Sequence, residues 1–125
     1  MKVQLTTAVL VAEDDSRQRD FFVGILRHLG FTHIDHAPNG QRALALFREH
    51  EYGLVFLDIE MPNLNGIEAL HHMFEHRPET NIVMVSAHST VDNVKTAIKE
   101  GAKGFIVKPY SIAKVEGVLK KVLGV

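Results

Sequence analysis

The stretch LVFLDIEMP, residues 54–62, is the most informative part of the sequence. Four consecutive apolar residues lead to Asp58, and Pro62 follows shortly after that aspartate. Apolar residues at successive positions, instead of alternate ones, are typical of a parallel strand that helices cover on both faces. We therefore predict that residues 54–58 form an interior strand with a carboxylate at its carboxyl end.

Four more runs of apolar and β-branched residues lie on either side of this strand. They are residues 8–12, 33–37, 82–87 and 105–107. Segments with helical spacing of apolar residues lie between the runs and after the last one. Strand and helix thus alternate five times, which predicts an α/β fold with one doubly wound, five-stranded parallel sheet and five helices. The run at 33–37 alternates polar and apolar residues, so we place it at a sheet edge.

Capping residues and apolar spacing indicate how the helices begin and which way they face. Asp15 or Ser16 can cap the first helix, because either side chain can accept a hydrogen bond from a free backbone N–H. Helical spacing places Phe21, Phe74 and Ile112 on the apolar faces of the first, third and fifth helices. We expect these three side chains to point towards the core.

Composition indicates an ordinary soluble domain. The chain has 125 residues, of which 46% are hydrophobic and 23% charged, and we expect a single domain over residues 1–125. The 14 basic and 15 acidic residues nearly balance, so charge does not point to nucleic acid or a membrane surface as a partner. Cysteine is absent, and no apolar run approaches the roughly 20 residues of a membrane-spanning helix. We therefore expect a cytoplasmic protein.

Charged and polar side chains follow four of the five predicted strands. Glu13 and Asp14 follow the first strand, Asp58 ends the third, Ser86 lies near the end of the fourth, and Lys108 follows the fifth. Parallel strands bring these groups to one edge of the sheet, where the crowded carboxylates favour a bound cation such as Mg²⁺. Each acid taken alone is also consistent with a simple helix cap.

Four motifs carry a resemblance to a known family. They are LVAEDD at 10–15, FLDIEMPNLNG at 56–66, VSA at 85–87 and KGFIVKPY at 103–110. In this order the chain resembles a response-regulator receiver domain of two-component signalling, from Val9 to about Leu123. The resemblance implies a flavodoxin-like sheet with strand order 2-1-3-4-5.

The resemblance also implies where phosphorylation and metal binding occur. Asp58 is expected to be the phosphoacceptor. The side chains of Glu13, Asp14 and Asp58, together with the backbone carbonyl of Glu60, are expected to hold Mg²⁺. These are hard oxygen ligands of the kind that Mg²⁺ prefers.

Three more positions match the family's switch residues. Ser86 is expected to supply the switch hydroxyl, and Lys108 is expected to pair with the phosphoryl group. Phe105 takes the aromatic switch position, where many relatives have tyrosine, and it has no hydroxyl to donate. Pro109 takes the family's cis-proline position.

Two positions are expected to set how long the phosphoryl group persists. Glu60 lies two residues after Asp58, and His88 lies two residues after Ser86. For His88, an ordinary exposed loop histidine remains the alternative interpretation.

The implied function is a phosphorylation-activated switch in a two-component phosphorelay. Asp58 would accept the phosphoryl group from a sensor histidine kinase or a histidine phosphotransfer protein. The surface of the fourth helix, fifth strand and fifth helix would then change, and a downstream protein that the sequence does not name would recognise it. The domain would catalyse only its own phosphorylation and dephosphorylation, and a phosphorylation-dependent dimer is a further expected state. Direct contact with nucleic acid or a membrane is not expected.

Three other functions remain to be weighed. A magnesium-dependent phosphatase or phosphotransferase would also use an aspartate nucleophile with a second acid two residues on, as Asp58 and Glu60 are spaced. A flavin-binding electron carrier shares this type of sheet, but the acidic loop after the first strand would repel a phosphate. A phosphorylation-independent interaction module is the third. His72 and His76 lie one helical turn apart with no third ligand near in sequence, so no zinc site is predicted.

Overall fold

The sheet and its helices follow the predicted alternation. A computed structural model describes residues 7–87 and 90–124. The strands in these ranges are β1 (Val9–Ala12), β2 (Ile34–Ala37), β3 (Leu54–Asp58), β4 (Asn81–Ser86) and β5 (Gly104–Val107). The helices are α1 (Ser16–His28), α2 (Gly40–Glu49), α3 (Gly66–His76), α4 (Val91–Lys99) and α5 (Ile112–Leu123). Neighbouring strands are parallel in the order β2-β1-β3-β4-β5, which confirms the predicted fold, and β2 lies at the predicted edge.

Two apolar layers hold the central strand β3 in place. Val55 and Leu57 face the layer that includes Met73 of α3, whereas Leu54 and Phe56 face the layer below α1 and α5. Successive side chains of a strand point to opposite faces, so a strand covered on both sides needs an apolar residue at every position. Each such side chain stabilises the fold by roughly 1.5–3 kcal/mol on burial. The carboxyl end of β3 is therefore firmly positioned.

The start of α3 is packed directly against the end of β3. The backbone N–H of Gly66 donates a hydrogen bond to the carbonyl of Ile59 over 2.8 Å. A Cβ atom at Gly66 would lie 2.0 Å from the carbonyl oxygen of Asp58. Only glycine permits this approach, and the loop that carries Asp58 is thereby closed tightly onto the helix.

Helix α1 begins at a capped end, as the sequence indicates. Of the two candidate caps, Asp15 is the one used: its carboxylate accepts hydrogen bonds from the backbone N–H groups of Arg17 and Gln18, at 2.9 and 3.1 Å. The cap fixes the first turn of α1 immediately after the acidic residues that follow β1.

The prediction that three apolar helix residues point inward is wrong. Phe21 is 58% exposed, Phe74 is 39% exposed and Ile112 is 42% exposed. Two helices on one face of a narrow sheet bury only the middle of each apolar stripe, and these residues lie at the margins. Phe21 stacks on Tyr110 at a ring-centroid distance of 5.9 Å.

None of the helices in the described ranges has the length and apolar character that a bilayer crossing requires.

Candidate functional site

The candidate site lies at the carboxyl edge of the sheet. Glu13 directly follows β1, Asp58 is the last residue of β3, Ser86 is the last residue of β4, and Lys108 directly follows β5. Because all the strands are parallel and in register, the fold brings together four groups that are far apart in sequence. The Lys108–Pro109 peptide bond is cis.

Lys108 is the centre of the hydrogen bonding. Its Nζ donates to Asp58 Oδ2 at 2.7 Å, to Glu13 Oε1 at 2.6 Å and to Gln18 Oε1 at 2.5 Å. Asp58 is 5% exposed and Glu13 is 6% exposed, whereas the Lys108 side chain is 16% exposed. One ammonium group therefore bridges two buried carboxylates and a neutral amide. Such short, charge-assisted bonds are stronger than ordinary ones.

The buried charges perturb one another. Burial raises the pKa of Glu13 to about 7; the hydrogen bond from Lys108 works against this rise, and the nearby Asp58 adds to it. Burial alone would lower the pKa of Lys108, but its hydrogen bonds to Asp58 and Glu13 outweigh burial, and the pKa rises. Lys108 therefore stays charged at neutral pH, while the two buried carboxylates compete for one positive partner.

Three acids could share a metal ion. Glu13, Asp14 and Asp58 each offer a carboxylate oxygen, and these oxygens lie within 4.8 Å of one another. Asp14 is exposed, so the cluster opens to water on one side. Hard oxygen ligands with room for water suit Mg²⁺, whereas zinc and copper more often bind imidazole or thiolate ligands. The residues present thus fit a hydrated Mg²⁺ ion.

Glu60 connects the acceptor loop to the end of β4. Its backbone N–H donates to Asp58 Oδ1 at 3.0 Å, and its side-chain Oε1 accepts a hydrogen bond from Ser86 Oγ at 3.1 Å. Ser86 is fully buried. An open groove of about 550 Å³ runs beside these residues and is lined in part by Asp14, Glu60 and Asn93. The hydroxyl at the end of β4 is thus directed towards Glu60 in this state.

Two predicted positions, Phe105 and His88, lie away from the cluster around Lys108 or outside the described residues. Phe105 is half-buried on β5 and packs against the apolar layer that includes Met73. The backbone N–H of Lys108 donates to the carbonyl of Ser86 at 2.9 Å, which joins the ends of β5 and β4. His88 lies outside the described residues.

Two residues of the site were not identified from the sequence. Gln18 reaches Lys108 across 90 positions of chain, a contact that no local pattern encodes. Tyr110 contacts Phe22 edge-on at 5.2 Å between ring centroids, and burial raises the pKa of Tyr110 to about 12. The only sequence signal for Tyr110 was its place at the end of the KGFIVKPY motif.

Comparison with known proteins identifies the family. A family model for the response regulator receiver domain matches residues 9–120. The chemotaxis protein CheY of Thermotoga maritima is 35% identical over 114 residues, which are 91% of this chain and 95% of that protein. The chemotaxis protein CheY of Bacillus subtilis is 36% identical over 115 residues, or 92% of this chain and 96% of that protein.

A solved structure agrees with these sequence relatives. A chain of the CheX–CheY–BeF3–Mg²⁺ complex from Borrelia burgdorferi has a TM-score of 0.90 and 33% identity, covering 94% of this chain and 89% of that chain. Sequence and fold therefore point to the same group of regulatory signalling domains. The chain belongs to the response regulator receiver domain family of two-component signalling and is CheY-like.

Proposed function

We propose that the protein is a phosphorylation-activated switch that accepts a phosphoryl group on Asp58. The observation that carries this proposal is the setting of Asp58: a buried carboxylate at the mouth of β3, 2.7 Å from a lysine ammonium and beside two further acids. The phosphodonor would be a sensor histidine kinase or a histidine phosphotransfer protein. Residues 1–125 would form a single receiver domain, and the protein would be located in the cytoplasm.

The chemistry requires a nucleophile and stabilisation of charge. An Asp58 carboxylate oxygen attacks phosphorus and the bond from phosphorus to the donor imidazole nitrogen breaks. The donor ring carries a proton on its other nitrogen, so the imidazole leaves as the neutral ring. Lys108 donates a hydrogen bond to one of the transferring oxygens. Positioning and electrostatics supply most of the catalysis of such a transfer.

Mg²⁺ is the proposed cofactor. The side chains of Glu13, Asp14 and Asp58 and the backbone carbonyl of Glu60 would hold it. When bound, Mg²⁺ neutralises charge on the phosphoryl oxygens. The related chain from Borrelia burgdorferi belongs to a complex with BeF3 and Mg²⁺, which supports Mg²⁺ as the metal proposed for this protein.

Signalling would begin with a change of partner for Ser86. The hydroxyl now donates to Glu60 and would instead donate to a phosphoryl oxygen on Asp58, drawing the end of β4 inward. Phe105 would then move further into the core, and the surface formed by α4, β5 and α5 would shift its population towards an active state. A downstream protein would bind this surface, and a second copy of the domain could pair there after phosphorylation. No direct contact with nucleic acid or a membrane is proposed.

Glu60 and His88 would set the lifetime of the phosphoryl group. The backbone N–H of Glu60 contacts Asp58 and its side chain contacts Ser86, which supports a role for this side chain beside the path of an attacking water. The domain would thereby catalyse its own phosphorylation and dephosphorylation and no reaction of other molecules.

Labelling with acetyl phosphate tests the proposal. With Mg²⁺ present, we expect intact-mass spectrometry to show one added phosphoryl group on the parent and none on Asp58→Asn. Asp20→Asn, an exposed acid on α1, is the matched control and should label like the parent. Equal labelling of the parent and Asp58→Asn, or labelling that persists unchanged in EDTA, would contradict the proposed acceptor or the proposed metal dependence.

A further inference from the structure

The third partner of Lys108 is the feature that the proposed phosphotransfer leaves without a role. A lysine ammonium has three donors, and in this structure all three are used, by Asp58, Glu13 and Gln18. The bond to Gln18 Oε1 measures 2.5 Å. Gln18 carries no charge and lies on the solvent side of the site.

The position of Gln18 is fixed by the helix cap. Gln18 is the third residue of α1, and its backbone N–H donates to Asp15 at 3.1 Å. The backbone N–H of Asp15 in turn contacts Glu13 Oε2 at 3.3 Å. The amide oxygen of Gln18 therefore reaches Lys108 from a helix turn that is anchored next to Glu13.

The two carboxylate partners of Lys108 change during the proposed reaction, whereas Gln18 does not. Phosphorylation turns one oxygen of Asp58 into a mixed anhydride, and Glu13 belongs to the acid cluster that would hold the metal ion. Both then offer Lys108 a weaker or redirected acceptor. The neutral Gln18 amide is not part of that cluster and is not altered by the proposed reaction.

We propose that Gln18 is a positioning residue. Its amide oxygen holds the Lys108 ammonium where it can donate a hydrogen bond to an oxygen of the incoming phosphoryl group. This role rests on the proposed function of Asp58 as the acceptor. Gln18 does not touch the reacting atoms and acts through Lys108. Restricting a long, flexible side chain before the reaction lowers the entropy that must be lost in the transition state.

The test replaces Gln18 by Met, which keeps the length of the side chain and removes the strong acceptor. We expect the maximum rate of acetyl-phosphate labelling to fall about three- to tenfold, as for loss of one ordinary hydrogen bond at an exposed position. The acetyl-phosphate concentration at half-maximal rate and the Mg²⁺ affinity from amide NMR shifts should change less than about twofold, since Gln18 is neither a metal ligand nor a donor-binding group. Gln41→Met on α2 is the matched control and should behave as the parent.

A second readout reports the contact without any reaction. In the metal-free, unphosphorylated protein, the ¹⁵Nζ–H signal of Lys108 should be protected from solvent exchange in the parent, weakened in Gln18→Met, and restored in Gln18→Glu, which keeps both reach and acceptor. A labelled parent whose Gln18→Met variant shows an unchanged rate, or an unchanged Lys108 signal, overturns the positioning role alone. A parent that acetyl phosphate does not label at Asp58 overturns the proposed function, and the positioning role with it.

Discussion

Replacing Lys108 by Met should show how strongly the lysine is coupled to Asp58. Methionine keeps most of the aliphatic stem and removes the ammonium, whereas Asp58→Asn keeps the shape of the acceptor and removes its charge. The two single variants and the double variant form a thermodynamic cycle, which isolates the interaction between the two side chains. We expect Lys108→Met to be clearly destabilising and its cost to be smaller when Asp58 is already Asn.

The size of the coupling follows from the geometry. Lys108 Nζ and Asp58 Oδ2 are 2.7 Å apart, and both side chains are largely removed from water. Two unit charges about 4 Å apart attract by ~4 kcal/mol at an effective dielectric constant of about 20. Desolvation of both groups offsets part of this attraction, and Glu13 retains its own bond to Lys108 in the Asn variant. We therefore expect a coupling free energy of about 2 kcal/mol.

Urea unfolding followed by circular dichroism, at pH 7.5 in EDTA, measures the four free energies of unfolding. Lys120→Met, at an exposed position of α5, is the matched control, and its coupling to Asp58→Asn should be close to zero. A coupling between Lys108 and Asp58 no larger than that of the control would refute the electrostatic description of the site.

The remaining predictions concern pH, the Glu60 contact, two glycines and substrate turnover. Burial raises the pKa of Glu13 from 4.5 to about 7, so between these pH values the folded protein holds a proton on this carboxyl that the unfolded protein has lost. The free energy of unfolding of the metal-free parent should therefore fall as pH rises through this window, and that of Glu13→Gln should fall much less. Urea unfolding at a series of pH values measures both. Glu60→Gln should weaken the acceptor for the Ser86 hydroxyl, so that Ser86 bonds more readily to a phosphoryl group on Asp58. Dephosphorylation should slow about threefold, while the free energy of unfolding changes by less than ~1 kcal/mol. Equal rates of loss of the phosphoryl group in the variant and the parent, after removal of acetyl phosphate, would contradict this. Gly66→Ala should cost about 2–4 kcal/mol because its Cβ would meet the Asp58 carbonyl, whereas Gly117→Ala, with open space around it, should stabilise α5 by about 0.5–1 kcal/mol in thermal unfolding. Purified protein should show no turnover of p-nitrophenyl phosphate, and sustained turnover would favour a phosphatase acting on small molecules.

The sequence predicted the sheet because its main determinants are local. The unbroken apolar run before Asp58 and the alternating run at 33–37 identify an interior strand and an edge strand without any knowledge of distant contacts. The cap at Asp15 is likewise encoded within three residues. The convergence of Glu13, Asp58 and Lys108 then follows from the parallel topology, since strands of one direction bring their carboxyl ends together.

Contacts between side chains on different elements could not be predicted in the same way. The bond from Ser86 to Glu60 and the bond from Lys108 to Gln18 depend on side-chain reach across 26 and 90 positions of chain. Apolar spacing also overestimated burial at Phe21, because periodicity gives the direction of a face and not how far the neighbouring helix extends over it.

Mapping the phosphoryl group to a residue is the most direct measurement of the site's function. After labelling with acetyl phosphate and Mg²⁺, reduction with borohydride converts a phosphorylated aspartate to homoserine, which peptide mass spectrometry can locate. We predict homoserine at position 58, no homoserine at position 14, and no 5-hydroxynorvaline, the product that a phosphorylated glutamate would give, at position 13. A reduced residue at another acid, or none in a protein that has gained the mass of a phosphoryl group, would contradict Asp58 as the acceptor.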